Sequence, residues 1–251
     1  GRVLGIQGRH VRLPRHGEGA RPHVEQDMEH LLALLEGQEA VVPRSVFSHF
    51  VGSDSEQFDD FTARQFAIFS KAANRLQTAF PHKILRHICN SAAIERFPQF
   101  HLDMVRLGIG LYGVNPVTGD VMRPVSTLKS VILQVRNVEA GETVGYSRRG
   151  TLQRPSRIAA VPIGYADGLD RHLGNGKGYC LINGKEAPYV GNICMDVCMV
   201  DVTDIDCREG DPVIIFGEGL PVTKLSDALQ TIPYEVLTSV SERVPRVYYQ
   251  D

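Results

Sequence analysis

The sequence has almost no excess charge of either sign: 27 basic against 29 acidic side chains leave a formal net charge of −2. That balance gives no electrostatic case for nucleic acid or an anionic membrane surface as a partner. No apolar run approaches the ~18–20 residues of a membrane span, and no charged-then-apolar leader opens the chain. The five cysteines form no recognisable metal pattern. Cys194 and Cys198 are four apart with Cys207 beyond, but no second pair completes a zinc site, so no metal is expected. Reduced, partly buried thiols in a cytoplasmic protein are the expectation. Methionine is also missing from the start; a chain opening on Gly1 reads as a piece of something longer.

What is present suffices for a core. With 251 residues, 43% hydrophobic and 22% charged, the chain can fold as one large domain or two. Residues 1–22 stand apart, with five arginines, five glycines, two prolines and one acid, Glu18. They show no sustained period, so loop or poorly ordered chain is expected there. From Val24 a helical stripe begins: Val24, Met28, Leu31, Leu32 and Leu35. A short strand follows at 44–50, ending near His49. A second helix has Asp59 and Asp60 at its start and Phe66, Phe69, Ala73, Leu76 and Phe80 along one face. Ile84–Cys89 reads as another strand, running into Asn90 and Ser91, which suit a helix N-terminus. Leu102–Leu107 reads as a third, with Arg106 near its end.

Strand alternating with helix implies parallel strands with helical crossovers. Three such units cannot close an eight-stranded barrel, which takes about 250 residues by itself. After Asn115-Pro116 the rhythm changes to strands at Val125–Val135, Arg157–Ile163, Gly178–Ile182, Val197–Val202 and Pro212–Phe216. Asn183-Gly184 is a hairpin signal, and one short helix is expected around Lys224–Gln230. The reading is α/β plus all-β: an atypical segment 1–22, a partial barrel over 23–120 and a β domain over 121–251.

Two stretches place a tyrosine behind a glycine: V-G-Y-S-R-R-G at 144–150 and P-I-G-Y-A-D-G at 162–168. Glycine lets the backbone turn where a β-carbon would clash, so the ring can project into a cleft. Arg148 and Arg149 stand within three residues of Tyr146, and nearby cations favour phenolate. Such a phenol could remove a proton at neutral pH. The same spacing also suits a strand tyrosine beside solvated arginines.

Taken with F-S-H-F (47–50), H-I-C-N-S-A-A-I-E-R-F-P (87–98), D-M-V-R-L-G-I-G-L-Y-G (103–113), I-C-M-D (193–196) and R-V-P-R-V-Y (243–248), these runs resemble the alanine racemases. The likeness covers roughly residues 41–251 in the family's order and spacing. The ending S-E-R-V-P-R-V-Y-Y-Q is most similar to the racemase part of proteins fused behind a cell-wall peptide ligase.

The resemblance implies the last strands of a (β/α)8 TIM-type barrel, a C-terminal β domain, a pyridoxal 5'-phosphate cofactor and a cytoplasmic homodimer. The dimer would make D-alanine from L-alanine for peptidoglycan. It implies Tyr146 as the base taking the proton from L-alanine, presented to the partner's cofactor, with His49 and Arg106 linking it to the pyridine nitrogen. Arginine does not give up its proton, so the ring stays largely unprotonated. Asn90, Ser91, Gly108 and Ile109 match the phosphate cradle. Tyr165, Met195 and Asp196 match the substrate-carboxylate side.

The family's cofactor lysine belongs to the first barrel strand. This chain has six lysines, at 71, 83, 129, 177, 185 and 224, and none sits in that motif. The family's D-T-G-M-x-R-L-G run should stand just before residue 24, where residues 1–22 differ, so neither Arg15 nor Arg21 is assigned its role. An out-of-frame origin for this segment is one expectation; inactivity of the chain by itself is another. Asn192 stands where an arginine is common, and Glu242 where some relatives place a phosphate-binding tyrosine. Two other readings fit parts of the pattern. One is a related decarboxylase of basic amino acids, which Tyr146 and Arg106 oppose because decarboxylation benefits from a protonated ring. The other is a non-catalytic dimerisation fragment.

Overall fold

The computed structural model describes residues 5–7, 10–12 and 24–249, with the first six and residues 24–26 described in backbone only. The positions of Arg15 and Arg21 lie outside the described residues. The chain divides into two compact units: Gly1–Leu111 with Asn115–Thr118, and Tyr112–Val114 with Gly119–Asp251.

In the first unit, β1 (Gly5–Gln7) and β2 (His10–Arg12) pair antiparallel. β2 then runs parallel to β3 (Ser45–Phe47), and β3 parallel to β4 (Leu85–His87). The expectation of loop throughout 1–22 is thus corrected at its described part. Strands of three residues are too short to show a period, and the parallel partner of β2 comes from sequence more than thirty residues away.

α1 (Val24–Glu36) and α2 (Asp59–Ala79) supply the crossover helices. The buried residues of α2 (Thr62, Gln65, Phe69, Ala72, Ala73 and Leu76) recur every three or four positions, as a helix with one core face requires. Met28, Leu31 and Leu35 of α1, Val46 of β3 and Ile84 and Ile88 flanking β4 join them in one core. Gln77 organises the exit from α2: its amide donates to the carbonyls of Phe80 (3.3 Å) and His82 (2.9 Å) and accepts from Ile84 N at 2.9 Å. α3 (Ser91–Arg96) opens as expected, with Asn90 as its cap accepting from Ala93 N at 3.0 Å.

The third expected strand is absent. Across Leu102–Leu107 only two backbone bonds reach β4 and its continuation, Asp103 N to Arg86 O (3.1 Å) and Arg106 N to Cys89 O (3.0 Å). Between them the Asp103 carboxylate, not a backbone carbonyl, accepts from Arg86 N at 2.9 Å. A side chain has replaced the rung that would have made a ladder.

The second unit is antiparallel β. β5 (Leu128–Val131) and the start of β6 (Gln134–Val138) fall in what read as one strand, 125–135, and β6 runs on beyond it. β7 (Thr143–Val144) and β8 (Gly150–Thr151) pair with each other alone, followed by β9 (Ser156–Val161), β10 (Tyr179–Ile182), β11 (Lys185–Pro188), β12 (Cys198–Asp201) and β13 (Pro212–Phe216). One sheet has the order β11-β10-β13-β5, another β12-β9-β6. The split falls at Ile132 and Leu133, whose amides donate to Asp211 O and Ala160 O in different sheets. The Asn183-Gly184 turn joins β10 to β11 with both residues left-handed, at φ 49° and 75°, as a type I′ hairpin requires. Besides α4 (Val222–Leu229), near the expected helix, there is α5 (Pro233–Ser239). It was not anticipated, although Pro233 in its first turn is a start signal.

Tyr189 is 1% exposed in this core, and its hydroxyl finds no hydrogen-bond partner. Burial, with Cys180 and Cys198 nearby, pushes its phenol well above the ordinary range. Removing an unsatisfied buried hydroxyl should cost nothing. Tyr189→Phe is therefore expected to raise the unfolding free energy by about 1 kcal/mol in urea titrations; a loss of that size would show that the hydroxyl is paired.

Candidate functional site

In the first unit the expected polar groups converge on Arg106. One of its terminal nitrogens, Nη1, lies 2.7 Å from His87 Nδ1 and 3.3 Å from the His87 carbonyl oxygen. The other, Nη2, donates to Ser48 O at 2.6 Å and Ile88 O at 3.3 Å, and lies 3.2 Å from His49 Nδ1. A guanidinium only donates, so both imidazoles accept through Nδ1 and carry their proton on Nε2. For His87 that proton points at Ser45 Oγ, 3.3 Å away. The guanidinium carbon also sits 5.3 Å from the centroid of the Phe47 ring, against which His87 stacks at 5.2 Å.

His49 itself is placed by α2, because Gln65 Nε2 donates to its carbonyl at 2.8 Å. Neither His87 nor Gln65 was singled out from sequence. Burial increases steadily along Leu85–His87 instead of alternating, so no periodic signal marks His87; it is buried at the end of β4, where an unpaired imidazole would be costly. Cys89, two residues beyond the end of β4, is pushed up to about 11 by burial, partly offset by the positive charge of Arg106. It is a packing thiol rather than a nucleophile.

Asn90 and Ser91 follow directly. Asn90 Oδ1 accepts from Ser53 Oγ (2.9 Å) as well as from Ala93 N, and its amide donates to Phe50 O at 3.3 Å. Ser91 Oγ accepts from Gly108 N at 2.8 Å and Gly110 N at 3.3 Å. With its acceptor side so used, the Ser91 hydroxyl keeps its proton to donate to an anion. Ile109, between the two glycines, is buried. Arg106, Ser91, Gly108 and Ile109 are therefore brought together by the return of 102–110 against the end of β4.

In the second unit Tyr146 opens a tight turn, Tyr146–Arg148, closed by Arg148 N donating to Gly145 O at 3.2 Å with Ser147 non-helical at φ 59°, and Tyr146 is 73% exposed. Arg148 turns its guanidinium to Thr143 Oγ1 at 3.1 Å. Tyr165 and Met195 are partly open and come from adjoining turns: Tyr165 N donates to Cys194 O and Ala166 N to Met195 O, each at 3.0 Å. Arg243 ties these turns to the C-terminal run. Its Nε donates to Asp167 Oδ1 and its Nη2 to Asp196 Oδ1, both at 2.7 Å. Burial alone would raise the Asp167 carboxyl, but Arg243 and the Gly164 amide hold it below the usual range. Asp196 thus stands beside Met195 with its carboxylate ion-paired. Sequence reading placed Asn192 as a departure only; the structure buries it, with its amide donating to Tyr146 O at 3.1 Å.

The position of Arg106 depends on Asp103, whose carboxylate also takes Arg86 Nε (3.0 Å) and Lys83 Nζ (3.1 Å). Burial would raise this carboxyl, but the N–H groups of Arg86 and the Lys83 ammonium bring it down to about 2. Because that lies below the ~3.9 of an unfolded aspartate, its contribution is complete above about pH 4 and is lost as pH falls towards 2. Asp103→Asn is expected to cost about 1 kcal/mol at pH 7, discounting the exposed Lys83 and Arg86. The difference from wild type should vanish near pH 2 in unfolding titrations; a pH-independent difference would contradict this.

Comparison with known proteins agrees across the chain. A family model described as alanine racemase, N-terminal domain, matches residues 17–116, and one described as alanine racemase, C-terminal domain, matches residues 125–248. The curated alanine racemase 2 of Caldanaerobacter subterraneus subsp. tengcongensis is 42% identical over 234 residues, covering 89% of this chain and 58% of its own length. The alanine racemase of Desulfosudis oleivorans is 40% identical over 235 residues, with coverages of 89% and 59%. Among solved structures, the alanine racemase of Streptomyces coelicolor A3(2) superposes with a TM-score of 0.83 at 30% identity, covering 96% of this chain and 66% of that one. That of Bartonella henselae with covalently bound pyridoxal phosphate gives 0.79 at 31%, with the same coverages. The chain spans less than two thirds of the length of the curated relatives it matches.

Proposed function

Since this chain belongs to the alanine racemase family, we propose that it supplies part of an enzyme interconverting L- and D-alanine with pyridoxal 5'-phosphate. In this reading its first unit is the last part of a (β/α)8 barrel, and the working form is a cytoplasmic homodimer making D-alanine for peptidoglycan. The observation that carries the reading is the anchoring of Arg106 by His87, His49 and three carbonyls.

The residues present fit two ends of the cofactor. Arg106 is a fixed donor with no proton to lose, suited to a pyridine nitrogen. Ser91, whose hydroxyl proton is left to donate, and the Ile109 amide beside it suit a phosphate, the Gly108 and Gly110 amides being taken by Ser91 Oγ. The aldehyde end needs a lysine, and the six lysines stand elsewhere. Lys71 is on α2, Lys129 on β5, Lys185 on β11 and Lys224 on α4, while Lys83 pairs with Asp103 and Lys177 lies in a turn. The chain by itself is therefore expected to be inactive.

When bound, the cofactor withdraws electrons from the substrate's α-carbon so that its proton can leave. Tyr146 takes or returns that proton at its phenol oxygen on one face, in the site of the partner subunit. Arg106 would face the ring nitrogen and, having no proton to give up, would leave it unprotonated, which disfavours decarboxylation; His49, 3.2 Å from Arg106, would link it towards the phenol. Tyr165 and the Met195 amide receive the carboxylate, with Asp196 fixed beside them by Arg243.

With pyridoxal phosphate and L-alanine, this chain should form no D-alanine above background. Joined to an upstream barrel segment from a relative that carries the lysine, it should gain turnover. Tyr146→Phe in that hybrid should then lower kcat for L-alanine by roughly 100-fold or more. Turnover by the unmodified chain, or a Tyr146→Phe hybrid that keeps its rate, would reject the proposal.

A further inference from the structure

Tyr146 poses a problem of placement. The residue is 73% exposed, so little side-chain packing holds it, and its position rests chiefly on its own backbone. That backbone is an unusual one: Gly145 (φ 81°), Ser147 (φ 59°) and Arg148 (φ 53°) are all left-handed, two of them with side chains. Such a turn persists only where the surroundings over-determine it.

The surroundings are the segment 189–192. Residues 144–150 lie flat on it because glycines stand at the closest approaches. A β-carbon on Gly191 would come within 2.5 Å of Val144 O, and one on Gly150 within 2.8 Å of Gly191 N. Close approach permits the turn but does not select it. The selecting contact is Asn192, only 7% exposed, whose Nδ2 donates to the Tyr146 carbonyl at 3.1 Å. Asn192 Oδ1 in turn accepts from Asn175 Nδ2 at 3.0 Å. A carbonyl on one side and an amide NH2 on the other fix which way the Asn192 amide faces. Asn175 is itself left-handed (φ 57°), with its N–H donating to Gly191 O at 2.8 Å. The relay is thus pinned to the same segment at both ends.

We propose that Asn192, oriented by Asn175, is a positioning residue for Tyr146: its buried amide selects the left-handed turn that holds the phenol out of the fold. The proposal rests on Tyr146 being the proton-transfer group, and its test is chosen to be independent of turnover. An arginine at position 192 has no acceptor and could not complete this relay, so the asparagine found here is the residue type that the geometry needs.

The chain is labelled with 3-fluorotyrosine, and the Tyr146 fluorine line is assigned by its loss in Tyr146→Phe. In Asn192→Leu, and in Asn192→Asp, which keeps the acceptor for Asn175 but loses the donor to Tyr146, that line should shift or broaden. The lines of the other tyrosines, among them Tyr179 and Tyr189 of the same unit, should stay in place. Trypsin should cut after Arg148 and Arg149 about tenfold faster in both variants, with cutting elsewhere unchanged. If these variants fail to fold, Asn192→Ser, too short to reach the carbonyl, should give the same two changes. An unmoved Tyr146 line with unchanged cutting would overturn the proposal, as would all the tyrosine lines moving together. Loss of turnover in Tyr146→Phe judges the racemase reading separately.

Discussion

The Arg106 guanidinium and the oxygens and imidazole nitrogens around it govern the first unit. Three backbone carbonyls, from Ser48, His87 and Ile88, face it together with two imidazole nitrogens, those of His87 and His49. These groups come from the ends of β3 and β4 and the chain beyond them, so one cation fastens elements that are far apart in sequence. Carbonyls at strand ends would otherwise be left with their ladder partners missing. A guanidinium satisfies several at once with fixed geometry, which a lysine ammonium cannot do. The same fixity makes Arg106 a useful group for a pyridine nitrogen in the proposed site, because a donor already held at its other edges neither wanders nor surrenders its proton.

What holds the cation also holds the anion side. Asp103 fastens the returning segment to Arg86 and Lys83, Arg106 N reaches Cys89 O, and Gly108 and Gly110 then arrive at Ser91. The segment 102–110 gains its shape from these contacts rather than from strand pairing. Held in this way, the segment brings the Ser91 hydroxyl proton and the Ile109 N–H together, which a ladder-paired strand would not do.

The second unit solves a different problem. It sets exposed side chains (Tyr146, Tyr165 and Met195) at defined places without burying them. It does so through backbone: a left-handed turn held flat against 189–192 by glycines and the Asn192 amide, and two adjoining turns joined by the amides of Tyr165 and Ala166 and braced by Arg243. Positional accuracy is carried by hydrogen bonds and close backbone approach, leaving the side-chain tips free for chemistry.

The sequence by itself determined those features with a local physical cause. The stripes of α1 and α2, the Asn90 cap, the Asn183-Gly184 hairpin and the change from alternating α/β to β could all be read from periodicity and turn chemistry, because neighbours in the chain decide them. His49, Asn90, Ser91, Arg106 and Tyr146 were legible as a set only through family-like runs, since no spacing rule joins residues so far apart. Tertiary structure decided the rest. It drew β1 and β2 out of an aperiodic segment, denied 102–107 a ladder through the Asp103 carboxylate, and split 125–135 between two sheets at Ile132 and Leu133. It also gave His87, Gln65 and Asn192 their partners. The reason is common to all of these: a hydrogen bond between groups distant in sequence leaves no periodic trace, and its energy is available only once the packed core has brought its two ends together.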